Sequence, residues 1–205
     1  MKKHIMVLDL LFYVAIPLVV WNLGRDYMGD YYAMLSSSIP GILYSIYRFY
    51  EIRKVNFTGI FILSTLVIGT LLDFLAGSAI QLLWNNVYYS IGMALFFVMS
   101  ILINKPAALF LSLDLVELQG NDRKSMKDLF YDKKVLMIFK LITLLFACRE
   151  SVLTVIRVLL IHKYGVDAFD QGIVYRQIIS WGFTFISMFG FLYIAKIINN
   201  MKPVD

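Results

Sequence analysis

The feature that most constrains this chain is a succession of largely apolar stretches, each about as long as a bilayer is deep. A hydrocarbon core of roughly 30 Å is crossed by about 20 helical residues rising 1.5 Å each. Stretches of that order run from about Met6 to Leu23, Tyr31 to Tyr47, Phe57 to Leu75, Val87 to Ile103, Val135 to Ile161 and Val174 to Ile197. The 205 residues are 60% hydrophobic and 16% charged, against roughly half and a quarter in soluble domains. A water-soluble core of this size cannot hide six such helices. The expected fold class is therefore all-α: a polytopic membrane protein whose six transmembrane helices pair as three hairpins in one membrane domain spanning 1–205.

The first stretch mimics a signal peptide, because Lys2 and Lys3 precede it. Asp9 interrupts it and no small-x-small cleavage site follows, so it is read as a retained helix.

Lysine and arginine beside the spans set orientation, the excess facing the cytoplasm. On one side stand Lys2, Lys3, Arg48, Arg53, Lys54, Lys105, Arg123, Lys124, Lys127, Lys133, Lys134, Lys196 and Lys202; on the other, only Arg25 and Lys163. Both termini are thus expected in the cytoplasm. Trp21, Tyr27, Tyr31, Tyr32, Trp84, Tyr88, Tyr89 and Tyr164 gather at the opposite boundary, where amphipathic rings favour the interface. The net charge of +5 belongs to this asymmetry, and no arginine-rich arm or aromatic–basic groove points to nucleic acid.

Between the fourth and fifth helices lies a polar stretch, 104–134. Its part Pro106 to Leu118 is apolar with a few acids and reads as an interfacial helix. Gln119 to Lys134 is densely charged and reads as a cytoplasmic surface.

Few polar residues fall at membrane depth. On the fifth helix Lys140, Thr143, Ala147, Glu150, Thr154 and Arg157 recur every three or four residues and share a face. Ionised groups there cost at least about 2.5–3.5 kcal/mol unless they face a bundle interior or a wet cavity. Arg149 and Glu150 are sequence neighbours that point in different directions, so each is expected to need a partner on another helix, and Asp73 is a candidate partner for Arg157. Ser36-Ser37-Ser38-Ile39-Pro40-Gly41 places a proline mid-helix, where a kink or break is expected. The candidate polar core is thus Glu150, Arg149, Arg157, Asp73, Lys140, Thr154, Ser36, Ser37 and Ser38. Such charges serve equally as structural ion pairs or as a binding site.

Gly69, Gly77, Gly92, Gly182 and Gly190 suggest close helix contacts. Asn85 and Asn86 suggest a cap on the fourth helix, and Cys148 a small buried hydrophobe. His4 and His162 fall on opposite sides of the membrane and Cys148 stands alone, so no metal or other cofactor is expected. No HExxH, GxSxG, Walker loop or paired membrane-depth aspartates point to an enzyme. The turns Gly24-Arg25-Asp26 and Gly165-Val166-Asp167 are alike in the first and third hairpins.

The three-hairpin plan, the step Ile103-Asn104-Lys105-Pro106 after the fourth helix, and the acid-then-arginine pair Glu150 and Arg157 resemble an uncharacterised family of small bacterial six-helix membrane proteins. That family is itself distantly similar to the intracellular septation protein A group. The charged stretch Gln119 to Lys134 departs from the shorter septation proteins. The resemblance implies a non-enzymatic protein of the bacterial cytoplasmic membrane in envelope homeostasis or division. It would act through protein partners docked on 119–134. The alternative is a small transporter or substrate-binding membrane subunit whose small-molecule site uses the polar groups above.

Overall fold

The computed structural model describes residues 8–52 and 56–201, without the side chains of residues 48, 51, 52 and 201. Lys2, Lys3, His4, Arg53, Lys54 and Lys202 lie outside the described residues, as does the side chain of Arg48. Every regular element among the described residues is helical. A π-helical turn, Leu11–Ala15, leads into α1 (Ile16–Ile52); then follow α2 (Phe57–Phe74), α3 (Ala79–Leu102), α4 (Ala107–Leu118), α5 (Arg123–Phe130), α6 (Lys133–Tyr164) and α7 (Ala168–Met201).

Three segments are long and apolar enough to cross a membrane: Leu8–Tyr47, Phe57–Phe74 and Ala79–Leu102. Large aliphatic side chains on them, such as Leu63, Val67, Ile68, Leu71 and Leu95, are exposed. Continuous apolar surface of this kind is unstable in water and at home in lipid. α6 and α7, at 32 and 34 residues, are longer than a span requires, but they carry Lys140, Arg149, Glu150, Arg157 and Arg176 along their length.

The first two expected helices are the two limbs of one segment, bent at Gly29, whose φ of 77° and ψ of 163° only glycine adopts easily. Folding back brings Tyr44 to Asp9 (2.8 Å) and Tyr13 to Ser45 (2.8 Å). The break thus falls at Gly29, and the helix runs on through Pro40 without a non-helical dihedral. At the other proline the π turn lies directly ahead of Pro17. A wider turn relieves the clash between a proline ring and the carbonyl four residues before it.

The chain divides into two compact units. The first comprises the described residues of Met1–Val55, Gly59–Ser90 and Leu153–Ile178; the second, Asn56–Thr58, Ile91–Val152 and the described residues of Ile179–Asp205.

The first unit packs around Trp21, Met34, Leu82, Leu83, Val87, Leu160 and Ile161, all buried. Gly77, with φ 69°, turns α2 into α3, and Ser78 caps α3 by accepting from the Gln81 amide. α3 therefore starts eight residues before Val87. Asn85 and Asn86 lie inside it and reach back to α2, Asn85 donating to the Leu72 carbonyl (2.7 Å) and Asn86 to Asp73 (3.2 Å). They cross-link rather than cap. The two similar turns touch: Arg25 lies over the Trp21 ring and holds Asp30 (3.3 Å) and Asp167 (2.7 Å).

The second unit packs around Leu109, Leu113, Phe130, Val135, Phe139, Ile142, Ile194 and Ile198. α4 packs into this core, with Ala107, Ala108, Leu109, Ser112, Leu113 and Asp114 all buried. Asn104, at a positive φ of 57°, makes the turn and Pro106 opens α4. α5, capped by Asp122 on the Ser125 amide (2.7 Å), buries Met126 and Phe130 and leaves Lys124, Lys127 and Asp128 exposed. Of the glycines expected in close contacts only Gly190 is tight, a Cβ there lying 2.8 Å from Ile142; at Gly69, Gly92 and Gly182 a Cβ meets nothing within 4 Å. Cys148 is exposed, not buried.

Candidate functional site

The polar residues set among the apolar helices separate into closed pairs and an open cavity. The closed pairs lie in the second unit. Glu150 is 8% exposed, and its sequence neighbour Arg149 donates to it through Nε at 3.1 Å and also through Nη2. The expectation that neighbouring side chains diverge fails because a guanidinium on a flexible stem can fold back over the carboxylate beside it. Lys140 donates to Asn104 (2.5 Å). Thr143, fully buried, donates to the Phe139 carbonyl (2.8 Å) and accepts from the Ala108 amide (3.2 Å). The strongest knot is one sequence reasoning missed. Asp114, 1% exposed, accepts from the Thr58 amide (2.6 Å), the Thr58 hydroxyl (2.7 Å) and Arg123 (2.6 Å). Arg123 also holds Glu117 (2.7 Å). Hydrogen bonds donated to Glu117 and then to Asp114 hold the Arg123 guanidinium above its ordinary range.

The cavity lies in the first unit and measures about 450 Å³. Its walls come from both limbs of the first segment, from α2 and α3, and from the start of α7. Tyr13 and Pro17 stand on the first limb and Ser37, Ser38 and Ser45 on the second; Thr65, Gly69, Thr70 and Asp73 on α2; Asn86 and Tyr89 on α3; Phe169 and Arg176 on α7. The repeat 62, 65/66, 69/70, 73 on α2 sets one helical face toward it. With no side chain at Gly69, that wall stands open.

The hydroxyls are satisfied locally. Ser37 donates to the Met34 carbonyl and Ser38 to that of Leu35, both at 2.7 Å; Thr65 donates to Ile62 and Ser45 to Gly41, both at 2.8 Å. Their oxygens keep lone pairs for a further donor. Ser36 instead faces Met28, 3.6 Å from its sulfur, away from the cavity lining.

Asp73 and Arg157 are joined through Asn86 rather than directly. The Asn86 amide donates to Asp73 while its backbone carbonyl accepts from Arg157 Nη1 at 2.9 Å, and Arg157 also donates to the Ser90 hydroxyl. Arg157 lines a smaller cavity of about 80 Å³ that shares Asn86, Phe169, Ile173 and Arg176 with the large one. Of the expected polar core, the large cavity gathers Asp73, Ser37 and Ser38. Thr154 belongs to the same unit but lines neither cavity; Glu150, Arg149 and Lys140 belong to the second unit.

A space of this size and mixed lining is of the kind that holds a small molecule. No histidine, cysteine, aspartate or glutamate trio is placed to hold a metal ion among the described residues. No family model, curated protein or solved structure matches the chain.

Proposed function

We propose that this chain is a non-enzymatic, multi-pass protein of the bacterial cytoplasmic membrane that binds a small polar solute, as a transporter or a substrate-capturing subunit. The observation that carries this reading is the cavity itself, about 450 Å³ of space edged by serines, threonines, Asp73 and Arg176 within a bundle of apolar helices. Polar groups at membrane depth are costly and are kept where they serve a pathway or a site. In this reading α6 and α7 complete six spans, paired in three hairpins, and both termini face the cytoplasm. The basic-residue asymmetry supports that orientation. The cavity then lies toward the outer ends of α2, α3 and α7.

Cysteine accessibility tests it. In a Cys148→Ser background, Thr70→Cys in intact cells should react with a membrane-impermeant thiol reagent added outside. Reaction only after permeabilisation would reverse the orientation. No reaction under either condition would remove the water-accessible site.

A second reading rests on the exposed charges of α5. Lys124, Lys127 and Asp128 face outward and offer a docking surface for a protein partner in envelope upkeep or division, as the family resemblance implies. Deleting 119–134 would also strip Met126 and Phe130 from the core, so charge reversal is the cleaner probe. Lys124→Glu with Lys127→Glu should abolish crosslinking to that partner; an unchanged set of crosslinks rejects this reading.

A further inference from the structure

We propose that the solute is a small zwitterion, its ammonium group held at Asp73 and its carboxylate at Arg176. This rests on the reading of the large cavity as a solute site.

Asp73 and Arg176 line the same cavity without pairing with each other. Asp73 is taken by the Asn86 amide at 3.2 Å. Among arginines with described side chains, Arg25, Arg123 and Arg149 each hold a carboxylate, and Arg157 holds the Asn86 carbonyl and the Ser90 hydroxyl. Arg176 makes no hydrogen bond or ion pair with any described residue. Two opposite charges lining one cavity gain most from contact if their role is only structural. Lining one space with no hydrogen bond or ion pair between them, they fit a ligand that carries both complementary charges.

The chemistry of the lining agrees. The hydroxyl protons of Ser37, Ser38 and Thr65 are committed to carbonyls of their own helices, so these groups present lone pairs to the cavity. Together with the Asp73 carboxylate they make an acceptor-rich wall suited to an ammonium group, which offers three donors. Arg176 is a forked donor, suited to a carboxylate. Either charge alone would leave the opposite wall charge uncompensated.

Thermal unfolding of the purified full-length protein in detergent tests the assignment. The probes are the ω-amino acids from glycine to 6-aminohexanoate and the standard α-amino acids. They are set against alkylamines and alkylcarboxylates of matched length, and against glycerol and erythritol. At least one zwitterion should bind about tenfold or more tighter than its matched amine and its matched carboxylate, each of which leaves a charged partner unmet. Arg176→Gln should reduce that zwitterion to the level of the amine, and Asp73→Asn to the level of the carboxylate. If a variant does not fold, the comparison among ligands on the unaltered protein decides alone. A polyol or a singly charged probe binding as tightly as every zwitterion would overturn the zwitterion assignment and leave the solute site standing. If no probe raises the midpoint, both fall.

Discussion

Asp114 and Asp73 are two carboxylates in the same apolar chain, and their surroundings differ in kind. Asp114 is 1% exposed and takes three hydrogen bonds, from the amide and hydroxyl of Thr58 and from Arg123. Asp73 is half-buried, takes one amide hydrogen from Asn86 and faces a cavity of about 450 Å³. The second unit repeats the first pattern at Arg149–Glu150 and Lys140–Asn104; the first unit repeats the second at Arg176. A carboxylate met by donors from other segments, as Asp114 is by Thr58 and Arg123, ties those segments together. A charge left with capacity in an open space can receive something from outside the fold.

The comparison breaks if the two kinds of site respond alike to substitution. Asp114→Ala leaves Arg123 and two Thr58 donors without their shared acceptor and should cost about 3–5 kcal/mol of stability, measured by thermal or denaturant unfolding in detergent. An effect below about 1 kcal/mol would mean the knot is not structural. Gly190→Ala, whose Cβ would lie 2.8 Å from Ile142, should cost about 1–3 kcal/mol through overpacking. Ile142→Val should recover part of it if the clash is the cause. Asp73→Asn should lower stability by no more than about 1 kcal/mol while weakening zwitterion binding to the level of the matched carboxylate; a stability loss equal to that of Asp114→Ala would make the two carboxylates the same kind of group. Gly69→Ala meets nothing within 4 Å. It should stabilise α2 by about 0.5–1 kcal/mol while taking space from the cavity, read as weaker ligand binding in the more stable protein.

Much of the helical layout was legible because apolar stretches and helix lengths coincide. Phe57 to Leu75 became Phe57–Phe74, and Val135 to Ile161 became the centre of Lys133–Tyr164. The start of α3 was misplaced because Asn85 and Asn86 look like caps, whereas the cap is Ser78 and the asparagines bond sideways to α2. Periodicity correctly marked a buried face on α6, where Thr143, Ala147 and Glu150 are covered. It did not distinguish closed pairing from a binding role, since spacing along one helix carries no information about facing groups. Three members of the cavity, Ser37, Ser38 and Asp73, stood out as polar residues in apolar surroundings. Thr65 and Thr70 were passed over because single small residues are common in membrane helices, and for the same reason Gly69 reads as a helix contact. Their spacing with Asp73 was the available signal. Arg176, in or at the edge of the sixth expected helix, enters neither the orientation count nor the candidate polar core, since a lone basic residue there carries no sign of the groups it faces.

The self-bonded hydroxyls of the cavity bear on how the protein is made. Ser37, Ser38, Ser45 and Thr65 each give their proton to a carbonyl three or four residues earlier on the same helix. In the proposed membrane setting those bonds can form while each helix still stands alone in the bilayer, before it meets a neighbour. Asp114 has no such provision, since Thr58 is 56 residues away and Arg123 stands on the following helix. During biogenesis the polar lining can therefore enter lipid one helix at a time, whereas the Asp114 knot must wait for helices made at different moments to assemble.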